Sequence, residues 1–257
     1  MSAAYIVTGT TRGIGQALAE EIALRGHMLF CISRAPEMQT GGRRNYMCDL
    51  RDPGETSKVM SRLMNDVPHA SCSDVVLVNN AGTLAPIGFL ENHTPVQMSD
   101  PMQVNLMAPA VLISSFIRES DRWGASRRII NITSGAALHP YAGWSLYCAA
   151  KAALNMLTRC AALEQEIRPN GVSICAVAPG VVNTGMQALI REAKDTDFPA
   201  RARFLKMRQE GRLAEPAKVA ALILDLDAGG KFQPGGIYDL RRVEWKEGKP
   251  HIEAMVI

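Results

Sequence analysis

The sequence predicts an α/β protein: a doubly wound, three-layer sandwich built on a seven-stranded parallel sheet. Three observations carry that expectation. Short apolar runs alternate with helical patterns from the first residues onward, which is the mark of βαβ units whose sheet is covered on both faces. The first run, Ala4 to Thr8, leads straight into a glycine-rich turn and then an amphipathic stretch. No internal repeat, low-complexity tract or Pro/Ser-rich linker divides the 257 residues, so residues 1–257 are expected to form one domain.

In chain order, Ala4 to Thr8 reads as a buried strand and Arg12 to Arg25 as the helix after it. Strands follow at Met28 to Ser33 and Asn45 to Cys48. A helix from Pro53 to Val67 has Asp52 as its cap and proline at its first position, where a missing N–H costs nothing. Val75 to Asn79 is the fourth strand, Pro95 to Glu119 a long helix, and Arg128 to Thr133 the fifth strand. Leu146 to Ile167 is helical and Val172 to Val177 is the sixth strand. Gly185 to Gln209 is helical with a break near Pro199, Pro216 to Leu226 is a helix entered through Glu215, and Gly236 to Asp239 is the last strand. Right-handed crossovers wind such a sheet doubly and put a ligand crevice at the carboxyl ends of the strands, where strand order reverses.

Composition narrows the function classes. Hydrophobic residues make up 47% and charged residues 21%, which excludes global disorder. The 28 basic and 25 acidic residues leave a net charge of +3, too weak and dispersed for a nucleic-acid footprint. Cysteines 31, 48, 72, 148, 160 and 175 form no CxxC pair and have no histidines at zinc spacing. No metal is expected, and a reduced, cytoplasmic chain fits. No signal-peptide pattern opens the sequence. The longest uncharged stretch, Pro169 to Ile190, is interrupted by Asn170, Gly171, Pro179, Gly180, Asn183 and Gly185, so no membrane span is expected.

The turn after the first strand has the pattern TGxxxGxG, with Gly9, Gly13 and Gly15. Glycines there let backbone approach a pyrophosphate lying on the free amides of the helix. They also serve purely steric needs in tight turns. At the end of the second strand, where an NAD site usually offers an acid to the ribose, the sequence has Ser33-Arg34. With Arg12 nearby, this pattern favours the 2′-phosphate of NADP; the alternative is a solvated strand-end arginine. Asp49 is placed either to accept from an adenine amino group or to form a turn.

Tyr147 and Lys151 stand four apart in a strongly helical stretch, so both emerge on one face. Ser134 closes the fifth strand just before that helix. An ammonium beside a phenol is expected to lower its pKa from about 10 and make it a usable proton donor. Tyr147 would then protonate a developing alkoxide while Ser134 holds the carbonyl oxygen and hydride arrives from NADPH. Asn105, polar within an apolar helix, either holds a water that relays protons to Lys151 or is locally bonded.

These residues resemble the short-chain dehydrogenases/reductases. The resemblance runs from Ala3 to about Leu240 and includes TGTTRGIG at 8–15, CDL at 48–50, NNAG at 79–82, Asn105, Ser134, YCAAK at 147–151 and PG at 179–180, followed by Thr184. It implies a Rossmann fold with Asn105, Ser134, Tyr147 and Lys151 as the catalytic four. It implies NADP contacts at Gly9, Thr11, Arg12, Gly13, Ile14, Gly15, Arg34, Asp49, Leu50, Asn80, Ala81, Gly82, Tyr147, Lys151, Pro179, Gly180, Val182 and Thr184. The segments at 143–153 and 178–187 are most similar to the sepiapterin reductase branch, which includes bacterial benzil reductases. That similarity implies a ketone in a vicinal dicarbonyl setting, with Ser134, Trp144, Tyr147, Gly180, Met186, Gln187 and Asp239 at the substrate. Asp239 matches the carboxylate that anchors the pterin in that branch, or merely ends a strand. Asn183 departs from the branch, which often has aspartate there, and the tail 241–257 runs past its usual end.

The resemblance further implies a homodimer or homotetramer. A lid over about 185–212 is expected, with Met186, Ile190, Phe198, Phe204 and Met207 either facing the crevice or packing in the core. Arg201, Arg203, Lys206 and Arg208 either attract an anionic substrate or form a solvated face. A serine hydrolase using Ser134 and His139 lacks the GxSxG elbow. Cys148 reads as packing. The remaining alternatives are a reductase of another carbonyl, such as a 3-oxoacyl thioester, and a non-catalytic NADPH sensor on the same fold.

Overall fold

The computed structural model describes residues 2–35 and 43–255. Its main sheet has the strands β1 (Ala4–Thr8), β2 (Met28–Ser33), β3 (Arg43–Met47), β4 (Asp74–Asn79), β5 (Ser126–Ile132), β6 (Ser173–Ala178) and β7 (Ile237–Asp239), in the order β3-β2-β1-β4-β5-β6-β7. Every pairing is parallel, for example Ile6 with Phe30 on one side and with Leu77 on the other. The order reverses between β1 and β4, so their carboxyl ends open the crevice.

Two-residue alternation sorts each strand onto two cores. On one face, Tyr5, Val7, Val76, Val78, Ile130 and Val177 pack under α1 (Gly13–Leu24) and α8 (Pro216–Ala228). On the other, Ile6, Phe30, Leu77, Ile129 and Ile174 pack under α2 (Pro53–Asp66), α4 (Ala108–Glu119) and α5 (Ser145–Glu166). Asp52 caps α2 as expected, accepting from the backbone N–H of Glu55 at 2.9 Å.

Two stretches differ from the sequence expectation. The long helix expected over Pro95 to Glu119 is divided into α3 (Pro95–Met102), a π-helical turn at Gln103–Met107, and α4. Pro101 and Pro109 each lack the N–H an unbroken α ladder needs, and Asn105 sits in the wide turn between them. Beyond β7 the tail folds back as a hairpin of β8 (Glu244–Lys246) and β9 (Lys249–His251). Glu247 and Gly248 both have positive φ, 51° and 74°, as a two-residue primed turn requires. The chain then returns to the open edge of β7, where the N–H of Met255 donates to the Ile237 carbonyl at 2.7 Å, which covers an otherwise unpaired strand. Among the described residues no helix is long and apolar enough to cross a membrane, and no cluster of metal-ligating side chains forms.

Candidate active site

The crevice is a cleft of about 940 Å³ running along the carboxyl ends of the strands. At its β1 end lies the amino terminus of α1. Gly9 and Gly13 turn the chain there with φ of +73° and +60°. The cap position, Arg12, makes no side-chain cap bond, so the first amides of α1 keep their hydrogen-bonding capacity for a ligand. Gly15 has a steric role. A Cβ there would overlap the Gly9 carbonyl and the Asn80 side chain. The Asn80 Nδ2 itself donates to the Thr8 carbonyl at 2.9 Å, and the Thr8 hydroxyl accepts the N–H groups of Asn80 and Ala81. That lattice ties β1 to β4 at the point where the order reverses.

All the sequence-predicted cofactor residues line this cleft: Gly9, Thr11, Arg12, Gly13, Ile14, Gly15, Arg34, Asp49, Leu50, Asn80, Ala81, Gly82, Tyr147, Lys151, Pro179, Gly180, Val182 and Thr184. Two details refine the reading. The Ser33 hydroxyl donates to the Ala35 carbonyl at 2.7 Å, so Arg12 and Arg34, not Ser33, are the donors available to a phosphate. Asp49 is engaged by Arg51 through Nε at 3.0 and 3.1 Å and through the Arg51 N–H, and those bonds hold its carboxyl below the usual range.

At the other end, α5 presents Tyr147 and Lys151 from its buried face, in line with Leu154, Asn155 and Thr158. The helix is pinned to the sheet by a polar chain through the core. Asn79 donates to Asn131 at 2.8 Å, Asn131 to the Thr158 hydroxyl at 2.9 Å, and that hydroxyl to the Leu154 carbonyl at 2.8 Å. Nothing in the sequence spacing signals this chain, because its members are 27 to 52 residues apart.

The Lys151 Nζ donates to the Ile132 carbonyl at 2.9 Å and stands 6.0 Å from the centroid of the Tyr147 ring. Burial pushes its pKa down to about 8. The expected lowering of the Tyr147 pKa by Lys151 is not what the structure shows: burial raises the phenol, and a hydrogen bond with Ser134 works against that rise. The Nζ is turned toward the Ile132 carbonyl, and burial, not the ammonium, governs the phenol. Ser134 accepts the Ala136 N–H at 3.1 Å, which aims its hydroxyl at the cleft beside Tyr147.

The Asn105 side chain takes the locally bonded arrangement. It is fully buried and absent from the cleft lining. Its amide accepts the Thr83 N–H at 3.0 Å and donates to the Thr83 carbonyl at 2.8 Å, so both ends of the side chain are spent on fixing the strand-end loop beside Gly82.

The substrate end is walled by aromatic rings. Trp144 stacks on Phe198 with centroids 4.3 Å apart and planes at 11°, and tilts against Phe204 and Tyr141. Its indole N–H and the Gln187 Oε1 are buried without a hydrogen-bond partner among the described residues. Ser134, Trp144, Tyr147, Gly180, Met186 and Gln187 all line the cleft, as do Ile190, Phe204 and Met207, whereas Phe198 is fully buried behind Trp144. Met186, Gln187 and Ile190 come from α6 (Gly185–Glu192), Phe204 and Met207 from α7 (Arg201–Gln209), and Phe198 from their connection. That excursion leaves and returns at one point, clasped by the bridge between Val182 and Ala214. Of the basic residues on α7, Arg203 reaches the cleft; Arg201 pairs with Asp195, and Lys206 with Glu210.

Asp239 stands apart from the other expected substrate residues. It does not line the cleft. Its carboxylate is 4% exposed and is covered by Arg241, which does line the cleft and which sequence reasoning missed. Burial alone would raise this carboxyl, but the bonds from Arg241 outweigh it and hold its pKa below the usual value.

Comparison with known proteins agrees with this geometry. A benzil reductase ((S)-benzoin forming) from Bacillus cereus is 35% identical over 240 residues, covering 90% of this chain and 96% of its own. The sepiapterin reductase of Rattus norvegicus is 31% identical over 255 residues, covering 92% and 95%. Among solved structures, one described as an NAD(P)-dependent gluconate 5-dehydrogenase from Beutenbergia cavernae, with NADP bound at low occupancy, superposes with a TM-score of 0.77 at 28% identity, covering 92% of this chain and 94% of that one. The short chain dehydrogenase family profile matches residues 3–195, and with the parallel sheet, the glycine turn and the Ser134–Tyr147–Lys151 grouping already in place, the chain belongs to the short chain dehydrogenase family of oxidoreductases.

Proposed function

We propose that the protein is an NADPH-dependent carbonyl reductase that reduces a ketone, a vicinal diketone of the benzil type or a pterin side-chain ketone. The observation that carries this reading is the buried Tyr147 hydroxyl beside Ser134, with Lys151 on the same helix face, in a cleft whose far end is an uncapped helix amino terminus. Arg12 and Arg34 fit a 2′-phosphate, the first amides of α1 fit a pyrophosphate, and Lys151 fits ribose hydroxyls. When bound, the dihydronicotinamide supplies the hydride.

The chain's own residues do the rest. Ser134 donates a hydrogen bond to the carbonyl oxygen and polarises it. Tyr147, kept protonated by its burial, gives its proton to that oxygen as negative charge develops there. Lys151, with its pKa pushed down to about 8, lies in range to return a proton to the phenolate near neutral pH. Closure of α6 and α7 over the aromatic wall excludes water, as a lid would. Of the two substrate types the diketone has the better support, because Asp239 is already paired with Arg241 and is not open to a pterin's N–H donors. The free cysteines suit a reducing compartment such as the cytoplasm.

The test follows loss of NADPH absorbance with benzil, sepiapterin and a 3-oxoacyl thioester, with NADH alongside and Tyr147→Phe as control. Turnover of benzil or sepiapterin with NADPH, abolished in Tyr147→Phe, is the expected result. Tight NADPH binding with no turnover of any ketone overturns it in favour of a sensor.

A further inference from the structure

Arg241 has no part in the reaction scheme above, yet it lines the cleft beside Gly135 and Gly180. It follows β7 and folds back on Asp239, which accepts its Nε at 2.9 and 3.1 Å, its Nη2, and its backbone N–H at 3.0 Å. A planar fork gripped along one edge can point its other edge in only one direction. The side chain passes Gly180, where a Cβ would stand 3.1 Å from its Cγ, and ends against Gly135, where a Cβ would stand 3.4 Å from its Nη2. Gly135 directly follows Ser134, so the guanidinium lies against the loop that carries the Ser134 hydroxyl. Nη1 meets no acceptor among the described residues, and the side chain is 52% exposed, against 5% for Asp239.

Among the described residues no carboxylate lines the substrate end of the cleft. The cleft's carboxylates, Asp49 and Asp100, both belong to the far end, where Arg51 bridges them. The substrate end has Arg241 and Arg203, the latter donating to the Tyr141 hydroxyl at 3.3 Å. Asp239 balances Arg241, and Arg203 leaves this end positive.

We propose that Arg241 is a specificity-determining residue whose free edge donates to an oxygen acceptor on the carbon next to the ketone. The substrate class is then a 1,2-diketone or a 2-oxo acid, with its apolar remainder against Tyr141, Trp144 and Phe204. This rests on the reductase reading above and narrows it.

The experiment uses three aromatic ketones of similar size with NADPH: acetophenone, 1-phenyl-1,2-propanedione and phenylglyoxylate. Each is assayed with the wild type, Arg241→Leu, Arg241→Lys and the double variant Asp239→Asn/Arg241→Leu, which removes the carboxylate that the single change leaves uncompensated. For the better of the two dicarbonyl substrates, Arg241→Leu and the double variant are expected to lose about 10- to 100-fold in kcat/KM, mostly in KM, as for a lost charge-assisted hydrogen bond. Acetophenone loses far less, and Arg241→Lys recovers part of the deficit. Which dicarbonyl depends more on Arg241 identifies the acceptor. An equal loss on all three ketones, or none, overturns the proposal and leaves the reductase reading intact. Quenching of tryptophan fluorescence by phenylglyoxylate, with NADPH present, is measured on the same proteins. If no ketone turns over, the reductase reading fails, and equal phenylglyoxylate affinity in wild type and Arg241→Leu then overturns this proposal as well.

Discussion

Replacing Lys151 with methionine is expected to abolish turnover and to change the pH dependence of stability in a direction the structure dictates. Burial lowers the Lys151 pKa from 10.5 to about 8. At about 1.4 kcal/mol per pH unit, the buried ammonium destabilises the fold by about 3 kcal/mol relative to its neutral form. The folded state holds this proton less tightly than the unfolded chain. Below about pH 8 both states are protonated and the penalty is present in full; from there to about pH 10.5 unfolding takes up a proton, so the lysine's contribution to stability rises with pH. Methionine keeps the stem and removes the charge. It also removes the bond to the Ile132 carbonyl, at a cost of about 1–3 kcal/mol for an acceptor left unpaired. At pH 7 the two effects nearly offset, leaving the variant about 0–2 kcal/mol more stable. By pH 10 the ionisation penalty has fallen to about 1 kcal/mol, so that advantage is gone and the wild type is the more stable protein. Urea unfolding followed by tryptophan fluorescence at pH 7, 8, 9 and 10, without added nucleotide, measures the difference between the two proteins, in which other titrating groups cancel. A difference that stays constant across this range refutes the assignment of Lys151 as a desolvated ammonium.

Gly143→Ala is expected to lower the Tm by about 3 °C or more, because φ is +86° there and a Cβ would overlap the Asp197 carbonyl; the displaced Phe198 should also raise the KM for aromatic ketones. Thr158→Val leaves the Asn131 amide without its acceptor in a fully buried position, and should cost about 1–3 kcal/mol in a urea titration. Arg34→Ser should raise the KM for NADPH about tenfold while leaving that for NADH nearly unchanged, as loss of one phosphate-pairing guanidinium predicts. Equal changes for the two nucleotides would remove Arg34 from the cofactor reading.

The elements were legible wherever one periodicity governed them. β1 and β2 fall on their predicted residues because each is a run of apolar residues buried on both faces. The boundary errors fall where local chemistry competes with periodicity. The stretch 95–119 has helical spacing throughout, and only the loss of two N–H donors at Pro101 and Pro109 divides it. The tail hairpin was invisible because Trp245 and the residues around it have no apolar alternation. What holds it is a two-residue turn and the edge of β7.

The site divides along a similar line. Tyr147 and Lys151 could be read from spacing because a helix puts residues four apart on one face. Thr158 lies on that same face and serves only to hold the helix, a role that depends on Asn131 and Asn79 from two different strands. No spacing rule reaches across such a gap. Asp239 shows a subtler failure, since its controlling neighbour is only two residues away. An acid at the carboxyl end of a strand reads as a ligand anchor, and a following arginine reads as solvated surface. The long arginine side chain can run outward or fold back with little local preference, so the choice falls to the space around it. Gly180 leaves that space open, since a Cβ there would stand 3.1 Å from the Arg241 Cγ and crowd its stem, while one at Gly135 would only reach contact with Nη2 at 3.4 Å. Selectivity at this end of the cleft therefore depends on an absent side chain as much as on the charged pair, and Gly180→Ala, which crowds the Arg241 stem, should weaken discrimination for dicarbonyls by shifting the guanidinium.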